Sequence, residues 1–357
     1  MIRAAIVGTG GIAAAHARAI AAHGGRVRLA AVMDVDRERL DTFGARHEVA
    51  SRYTDLDEML GRERPDLVCL CTPPYLHLGQ ALAAMDAGAW VWSEKPLCAG
   101  LADLGRIEEA ERRTGTFTSS VVQWRFGSGA THLKRLIDEG TMGRLLVGVC
   151  RTTWFRDAAY YAVPWRGRWD TELGGTTMGH GIHAMDLFLW LFGEWDEVAA
   201  MTGTLDRAID VEDTSMATVR FARGALGSIV NSALCPRQES YLRFDFQRGT
   251  VELRTLYAYA NADWTYTPGA GVDENEAARW ADLGEDVPAS HVAQLGELLD
   301  AMDAGRRPPA GIPEVRPTFE LISALYRSAA TGRAVRRGEI APGDPFHEHV
   351  AGMELAR

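Results

Sequence analysis

The chain has 357 residues, enough for about two domains at roughly 150 residues each. Its 46% hydrophobic and 24% charged content is that of a soluble globular protein and excludes a low-complexity or disordered chain. A formal charge of -10, from 38 Lys and Arg against 48 Asp and Glu, repels phosphate backbones and anionic bilayers, so neither nucleic acid nor a membrane is an expected partner.

Ile2 to Val7 is a short apolar run that reads as a buried strand, with no leader expected before it. The turn Gly8-Thr9-Gly10-Gly11-Ile12-Ala13 then opens an alanine-rich helix ending near His23-Gly24-Gly25. In such a strand, turn and helix unit Gly8 permits the turn, Gly10 lets the backbone approach a pyrophosphate, and small Ala13 stands where a third glycine would allow close packing. Val27 to Met33 supplies a second strand with Asp34 at its end, placed to hydrogen-bond a ribose hydroxyl. A carboxylate there repels the extra phosphate of NADP, so NAD is the expected cofactor, held by Gly8, Gly10, Gly11, Ile12 and Asp34.

Arg37 to His47 and Leu56 to Leu60 read as helices, and Leu67 to Cys71 as a buried strand. Ligands in parallel sheets collect beyond the carboxyl ends of strands, which makes Thr72, Pro73 and His77 cofactor-side candidates. Leu78 to Ala87 is helical, and Ala89 to Trp92 is a strand running into Ser93-Glu94-Lys95-Pro96. Pro96 restricts Lys95 to extended backbone angles and so fixes where its amine points. After the helix Leu101 to Thr114, Phe117 to Trp124 reads as the last strand of the first domain.

The second half begins with an amphipathic helix, Thr131 to Glu139. Strand-like runs follow at Leu145 to Trp154, Glu197 to Thr204, Ser215 to Phe221, Ala225 to Leu234, Tyr241 to Gln247 and Thr250 to Leu256, broken by turns and suggesting a largely antiparallel sheet. Arg156, Tyr161, Trp165 and Arg166 combine aromatic faces for sugar rings with forked donors for hydroxyl or acid groups. Gly174-Gly175-Thr176-Thr177-Met178-Gly179-His180-Gly181-Ile182-His183-Ala184-Met185-Asp186 enters the most apolar helix of the chain, and its His180, His183 and Asp186 recur every three residues, on one helical face. No metal is expected, since the cysteines do not cluster with these histidines. His291 to Ala304 and Phe319 to Thr331 read as closing helices.

The ordered set Gly8 to Ala13, Asp34, Thr72-Pro73-Pro74 with His77, Glu94-Lys95-Pro96, Gln123 with Arg125-Phe126, Trp165-Arg166-Gly167, and Gly181-Ile182-His183 with Asp186 resembles the glucose-fructose oxidoreductase, inositol dehydrogenase and MocA family over nearly the whole chain. The resemblance implies an α/β architecture: an N-terminal Rossmann dinucleotide-binding domain over residues 1–122, and an α+β domain with a large, mostly antiparallel open sheet over 123–335, followed by a tail over 336–357. It adds Glu94, Lys95 and Gln123 to the cofactor set, makes His183 the acid/base residue with Lys95 on the same oxygen, and puts Asp186 among the substrate residues.

At one position the chain departs from that pattern. Many dehydrogenase members carry Asp four residues before the histidine, where this chain has Gly179 beside an extra His180. Asp186 or Asp170 substitutes from elsewhere, or His180 takes a proton-transfer role and joins the catalytic set. The leading expectation is an NAD-dependent oxidoreductase acting on a ring hydroxyl of a sugar, sugar derivative or cyclic polyol. A redox-neutral NAD-dependent glycosidase, possibly on an anionic sugar, is the alternative, and a non-catalytic NAD-responsive regulator the third reading. Five cysteines without a CxxC pattern fit free thiols in the cytoplasm, and an exposed sheet face favours a homo-oligomer, dimer or tetramer.

Overall fold

Six short runs of the first 121 residues assemble into one parallel sheet: β1 (Ile2–Val7), β2 (Val27–Met33), β3 (Ser51–Tyr53), β4 (Leu67–Leu70), β5 (Trp90–Ser93) and β6 (Thr118–Ser120), in the order β3-β2-β1-β4-β5-β6. The computed structural model describes residues 1–352 and resolves the chain into two compact units, Met1–Val121 with His291–Arg316, and Val122–Ser290 with Pro317 onward. β4 is wholly apolar and buried, as is β1 from Ala4 to Val7, because helices cover such strands on both faces. Their core includes Ala4, Ile6, Val32, Leu67, Cys69 and Trp92, all fully buried.

The helix His291–Asp303, which the sequence reading assigns to the second domain, packs in the first unit against the helix Ala13–Ala22. Leu295, Leu298 and Leu299 complete its core. Nothing local in their spacing says which domain they close, since an apolar helical face fits any matching surface. Gln123 and Trp124, expected at the end of a strand, lie instead in a turn of 3-10 helix, Gln123–Phe126.

In the second unit the described residues form an eight-stranded sheet. β7 (Leu145–Phe155), β8 (Trp195–Gly203), β9 (Thr214–Phe221), β10 (Leu226–Ser232), β11 (Leu234–Phe246), β12 (Gly249–Thr255), β13 (Trp264–Pro268) and β14 (Val335–Arg336) lie in the order β13-β12-β11-β7-β10-β9-β8-β14. All pairs are antiparallel except β7 with β10.

One face of this sheet carries the helix Ile182–Phe192, ten of whose residues are buried. Gly148 of β7 pairs with Gly227 of β10, and the two missing side chains form a notch. A Cβ at Gly148 would lie 2.3 Å from the Phe192 ring and 2.7 Å from that of Phe188, so glycine is required for the helix to lie this close. The other face exposes Met201, Met216, Leu226 and Val147.

The long helix Ile312–Thr331 starts earlier than the periodicity indicates, because Pro313 falls in its first turn, where a missing N–H has no partner to lose. At the start of the tail Val335 and Arg336 extend the sheet edge, and further along Val350 and Ala351 are buried. The last five positions of that tail, 353–357, lie outside the described residues.

Candidate active site

In the first unit the turn after β1 is shaped for a dinucleotide. Gly8 has φ of +88°, and a Cβ there would strike the Cys71 carbonyl at 2.9 Å, so only glycine closes the turn. Gly10 and Gly11 are exposed, and Cβ atoms built on them would meet nothing within 4 Å. Bare backbone facing open space at a helix start is what a pyrophosphate needs. Ile12 begins the helix beside them.

Asp34 directly follows β2 and is buried, with Oδ2 accepting from the Thr9 amide at 2.7 Å and the Thr9 hydroxyl at 2.9 Å, and Oδ1 from the Asp36 amide at 2.9 Å and Arg39 at 3.2 Å. Burial by itself raises its carboxyl, but those hydrogen bonds outweigh it and hold Asp34 below the usual range. A fixed carboxylate at this point suits a ribose diol. The residues therefore fit NAD, which when bound supplies a hydride acceptor. Asp34→Ser is expected to erode the preference for NAD over NADP by about tenfold to a hundredfold, through loss of a charged hydrogen-bond acceptor and release of Arg39 toward a phosphate. Initial rates with each cofactor check this, and an unchanged ratio would refute it.

Two expected cofactor residues turn inward instead. His77 is fully buried, with Nδ1 2.7 Å from the Pro96 carbonyl and Nε2 2.8 Å from the Thr72 carbonyl, so it ties together the loops after β4 and β5. Glu94 is 5% exposed, and its Oε1 lies 3.1 Å from His16 Nε2 and 2.9 Å from His291 Nε2. Burial opposes ionisation there, yet the histidine hydrogen bonds prevail and hold Glu94 well below the usual carboxyl range, while burial pushes the His16 imidazole down. An ionised Glu94 clamped by two imidazoles, and accepting from the Lys95 amide at 3.3 Å, fixes the backbone from which Lys95 projects. Thr72 and Pro73 stay partly exposed, and the Thr72 hydroxyl donates to Gln80 at 2.6 Å.

The second unit holds the histidines. Residues Thr177–Gly181 form a turn of π-helix before the α-helix Ile182–Phe192, a distortion common at functional sites. Glu212 fastens its start: the carboxylate accepts from the Gly175 amide at 3.0 Å, the Thr177 amide at 2.9 Å and the Tyr326 hydroxyl at 2.9 Å. Gly175 and Gly181 serve this packing, since Cβ atoms there would lie 1.9 Å from the Glu212 carbonyl oxygen and 2.2 Å from Asn231. Their smallness admits protein rather than ligand.

His183 is 1% exposed and meets the Tyr257 ring edge-on at 5.5 Å. Gln123, expected at the cofactor, belongs to this unit and donates to the Tyr257 hydroxyl at 3.1 Å. Trp154 links the histidines, its ring 5.2 Å from His180 and 5.9 Å from Tyr257. His180 Nε2 is engaged by Tyr160 Oη at 3.0 Å and by Arg156 Nε–H at 3.3 Å. Because Arg166 donates to that same phenol, the Tyr160 proton points to His180, and Nε2 is an acceptor already filled. His180 thus anchors the aromatic and arginine cluster and does not offer Nε2 as a base.

Around it, Arg156 lies over Trp154 at 4.9 Å and Tyr160 at 5.1 Å, and Arg166 over Tyr160 at 3.9 Å and Trp165 at 4.3 Å. Tyr161 packs edge-on against Tyr160 at 5.0 Å. Arg166 is paired with Glu172 at 3.3 Å, but among the described residues Arg156 has no carboxylate partner.

Asp186 is no substrate residue in this structure. It is fully buried and receives two bonds of 2.6 Å from Arg125 and one of 3.0 Å from Thr318. Asp170 is exposed and paired with Arg168 at 3.1 Å. Neither carboxylate is available to assist His183. Tyr160, Glu172 and Glu212 were not singled out in the sequence, and only their closeness to the motifs could have drawn attention to the first two.

A Rossmann sheet with a fitted dinucleotide turn, joined in one chain to an α+β unit carrying buried histidines, defines an NAD-dependent oxidoreductase. The family model described as the oxidoreductase family with NAD-binding Rossmann fold matches residues 2–121, and that of the GFO/IDH/MocA C-terminal domain matches residues 130–252. The chain belongs to the GFO/IDH/MocA family. The WlbA dehydrogenase from Bordetella pertussis, solved with NADH and UDP-GlcNAcA, is 30% identical over 94% of this chain and 98% of its own, with a TM-score of 0.84. The WlbA enzyme from Chromobacterium violaceum, in complex with the same two molecules, is 29% identical over 95% and 97%, with a TM-score of 0.85. D-apiose dehydrogenase from Paraburkholderia graminis is 26% identical over 86% of this chain and 82% of its own.

Proposed function

We propose that the protein oxidises a ring hydroxyl of a sugar acid with NAD, His183 taking the hydroxyl proton and Lys95 supplying an ammonium to the reacting oxygen. The observation that carries the acidic substrate is Arg156, a guanidinium held over Trp154 and Tyr160 with no carboxylate of its own among the described residues. A part-buried arginine without a counter-ion is ready to receive one, and a planar guanidinium suits a carboxylate. UDP-GlcNAcA, the sugar acid bound by the WlbA relatives, supports the same class. The redox-neutral glycosidase needs a base beyond the oxidation pair, and His180, its candidate, has Nε2 already engaged.

Arg156, Arg166, Tyr161 and Trp165 would bind the acid and the ring face, leaving His183 for the chemistry. A homo-oligomer, dimer or tetramer, is supported by the open sheet face, where Met201 pairs with Met216 and Leu226 with Val147, each side chain more than two-fifths exposed. Five free cysteines, four of them buried, support the cytoplasm, and no described helix is long and apolar enough to cross a membrane.

The test incubates the purified protein, first weighed by light scattering, with NAD and UDP-GlcNAcA, glucuronic acid, glucose, myo-inositol or nitrophenyl glucuronide, following NADH and nitrophenol together. NADH is expected to accumulate with an acidic sugar in preference to its neutral counterpart. Arg156→Gln is expected to raise KM for the acid about tenfold to a hundredfold, with kcat little changed. Equal turnover of acid and neutral sugars would remove the acid from the reading, and nitrophenol release without net NADH would replace the dehydrogenase by the glycosidase.

A further inference from the structure

Four glycines lie between residues 174 and 181, and three of them are pressed against protein. Gly174 faces Met178 and Tyr326, Gly175 faces Glu212, and Gly181 faces Asn231, each too closely for a side chain. Gly179 is different: a Cβ built there would meet one atom within 4 Å, Glu172 Oε1 at 3.7 Å. The helix therefore leaves a gap on the turn before His183, and a carboxylate from another segment borders it.

We propose that Glu172 is the positioning carboxylate of this site, filling from the preceding loop the role that an aspartate at position 179 would play. The loop holds it firmly. Gly167, with φ of +74°, donates its amide to Glu172 Oε2, the Thr171 hydroxyl closes on the Trp165 carbonyl at 2.8 Å, and the Glu172 amide on the Arg168 carbonyl at 2.9 Å. Glu172 is 4% exposed, so its orientation is set by these bonds and not by solvent. The charged and titratable groups it faces include Arg166, bonded to Oε1, and the phenols of Tyr160 and Tyr161, whose ionisation it opposes in addition to burial. Through Arg166 and Tyr160 it also orders the ring of His180.

Gly179 lies in the π turn that runs directly into the helix bearing His183, so a carboxylate beside position 179 lies within electrostatic reach of His183. When His183 accepts a proton from the hydroxyl, the imidazolium gains a counter-charge from Glu172, and the hydroxyl hydrogen is the only atom transferred to the histidine. The gap at Gly179 and the approach of Glu172 thus fit one another, with a loop carboxylate bordering the space that a side chain at 179 would enter.

The proposal rests on His183 as the base, so its test has a readout that needs no sugar. Full-length protein carrying 13C-labelled histidine is titrated by NMR with NAD present, and the His183 signal is assigned by its loss in His183→Asn. Glu172→Gln is expected to lower the His183 titration midpoint by about one unit, and to move the rising limb of kcat against pH by the same amount. Adding Gly179→Asp to Glu172→Gln is expected to restore both. A loop-bracing role alone would not be rescued by a carboxylate on the helix, so a shift that Gly179→Asp leaves uncorrected overturns the proposal, as does a His183 midpoint that Glu172→Gln does not move. If the glutamine variant does not fold, Glu172→Asp, which draws the charge back by one methylene, is read in its place against the same two outcomes. Failure of every sugar in the panel would count against the proposed reaction and leave this titration to stand or fall by itself.

Discussion

His183→Asn is expected to lower kcat about a hundredfold to ten-thousandfold while leaving the affinity for NAD unchanged. The side chain is 1% exposed, on the helix that the sheet notch holds in place, and its ring rests against Tyr257. Asparagine keeps a planar polar group at the first ring position but has no basic nitrogen, so the proton acceptor is removed. The dinucleotide turn and Asp34 belong to the other unit, which is why cofactor affinity is spared. Steady-state NADH formation gives kcat, and quenching of tryptophan fluorescence by NAD gives the affinity. Activity within about an order of magnitude of the parent enzyme would move the base to another residue. The matching His180→Gln change is expected to act mainly on KM, because His180 supports Tyr160 and Arg156.

The second large effect concerns stability. Asp186→Asn is expected to cost about 3–5 kcal/mol, the range for breaking a buried ion pair by removing one partner. Asp186 is fully buried and Arg125 is 6% exposed, and the two bonds between them are parallel, so neither charge has water to fall back on. Removing the carboxylate leaves a guanidinium desolvated, and this is the costly term rather than the lost attraction itself. Replacing both residues, with Arg125→Met and Asp186→Leu, is expected to recover most of the loss. Urea unfolding followed by tryptophan fluorescence measures each variant, with NAD titration reporting separately on the first unit. A loss below about 1 kcal/mol for Asp186→Asn would mean that the pair is effectively solvated.

The two predictions separate residues that one sequence pattern presents together. His180, His183 and Asp186 share a three-residue spacing, and in the structure each meets a different partner: Tyr160 and Arg156, Tyr257, and Arg125. Spacing can put residues on a face, but it cannot say whether that face meets a substrate or a guanidinium. The same limit applies to Glu94 and His77, which occupy strand ends where ligands collect and yet turn inward to His16 and His291, and to two backbone carbonyls.

The Rossmann unit was legible because its instructions are local. A continuous apolar run demands burial on both faces, Gly8 alone tolerates the positive φ of its turn, and Asp34 follows directly from the end of a strand. The cofactor and the antiparallel character of the second sheet were readable from such local patterns, and the family from a resemblance carried by motifs spread in order over nearly the whole chain. What only the tertiary structure decided was partnership across sequence distance: that residues 291–303 close the first core, that Arg125 neutralises Asp186 sixty-one positions away, and that Glu172 borders the gap at Gly179. Local conformation follows from the backbone preferences of a few neighbouring residues, whereas a buried charge takes its partner from whichever segment the completed packing brings within hydrogen-bonding distance.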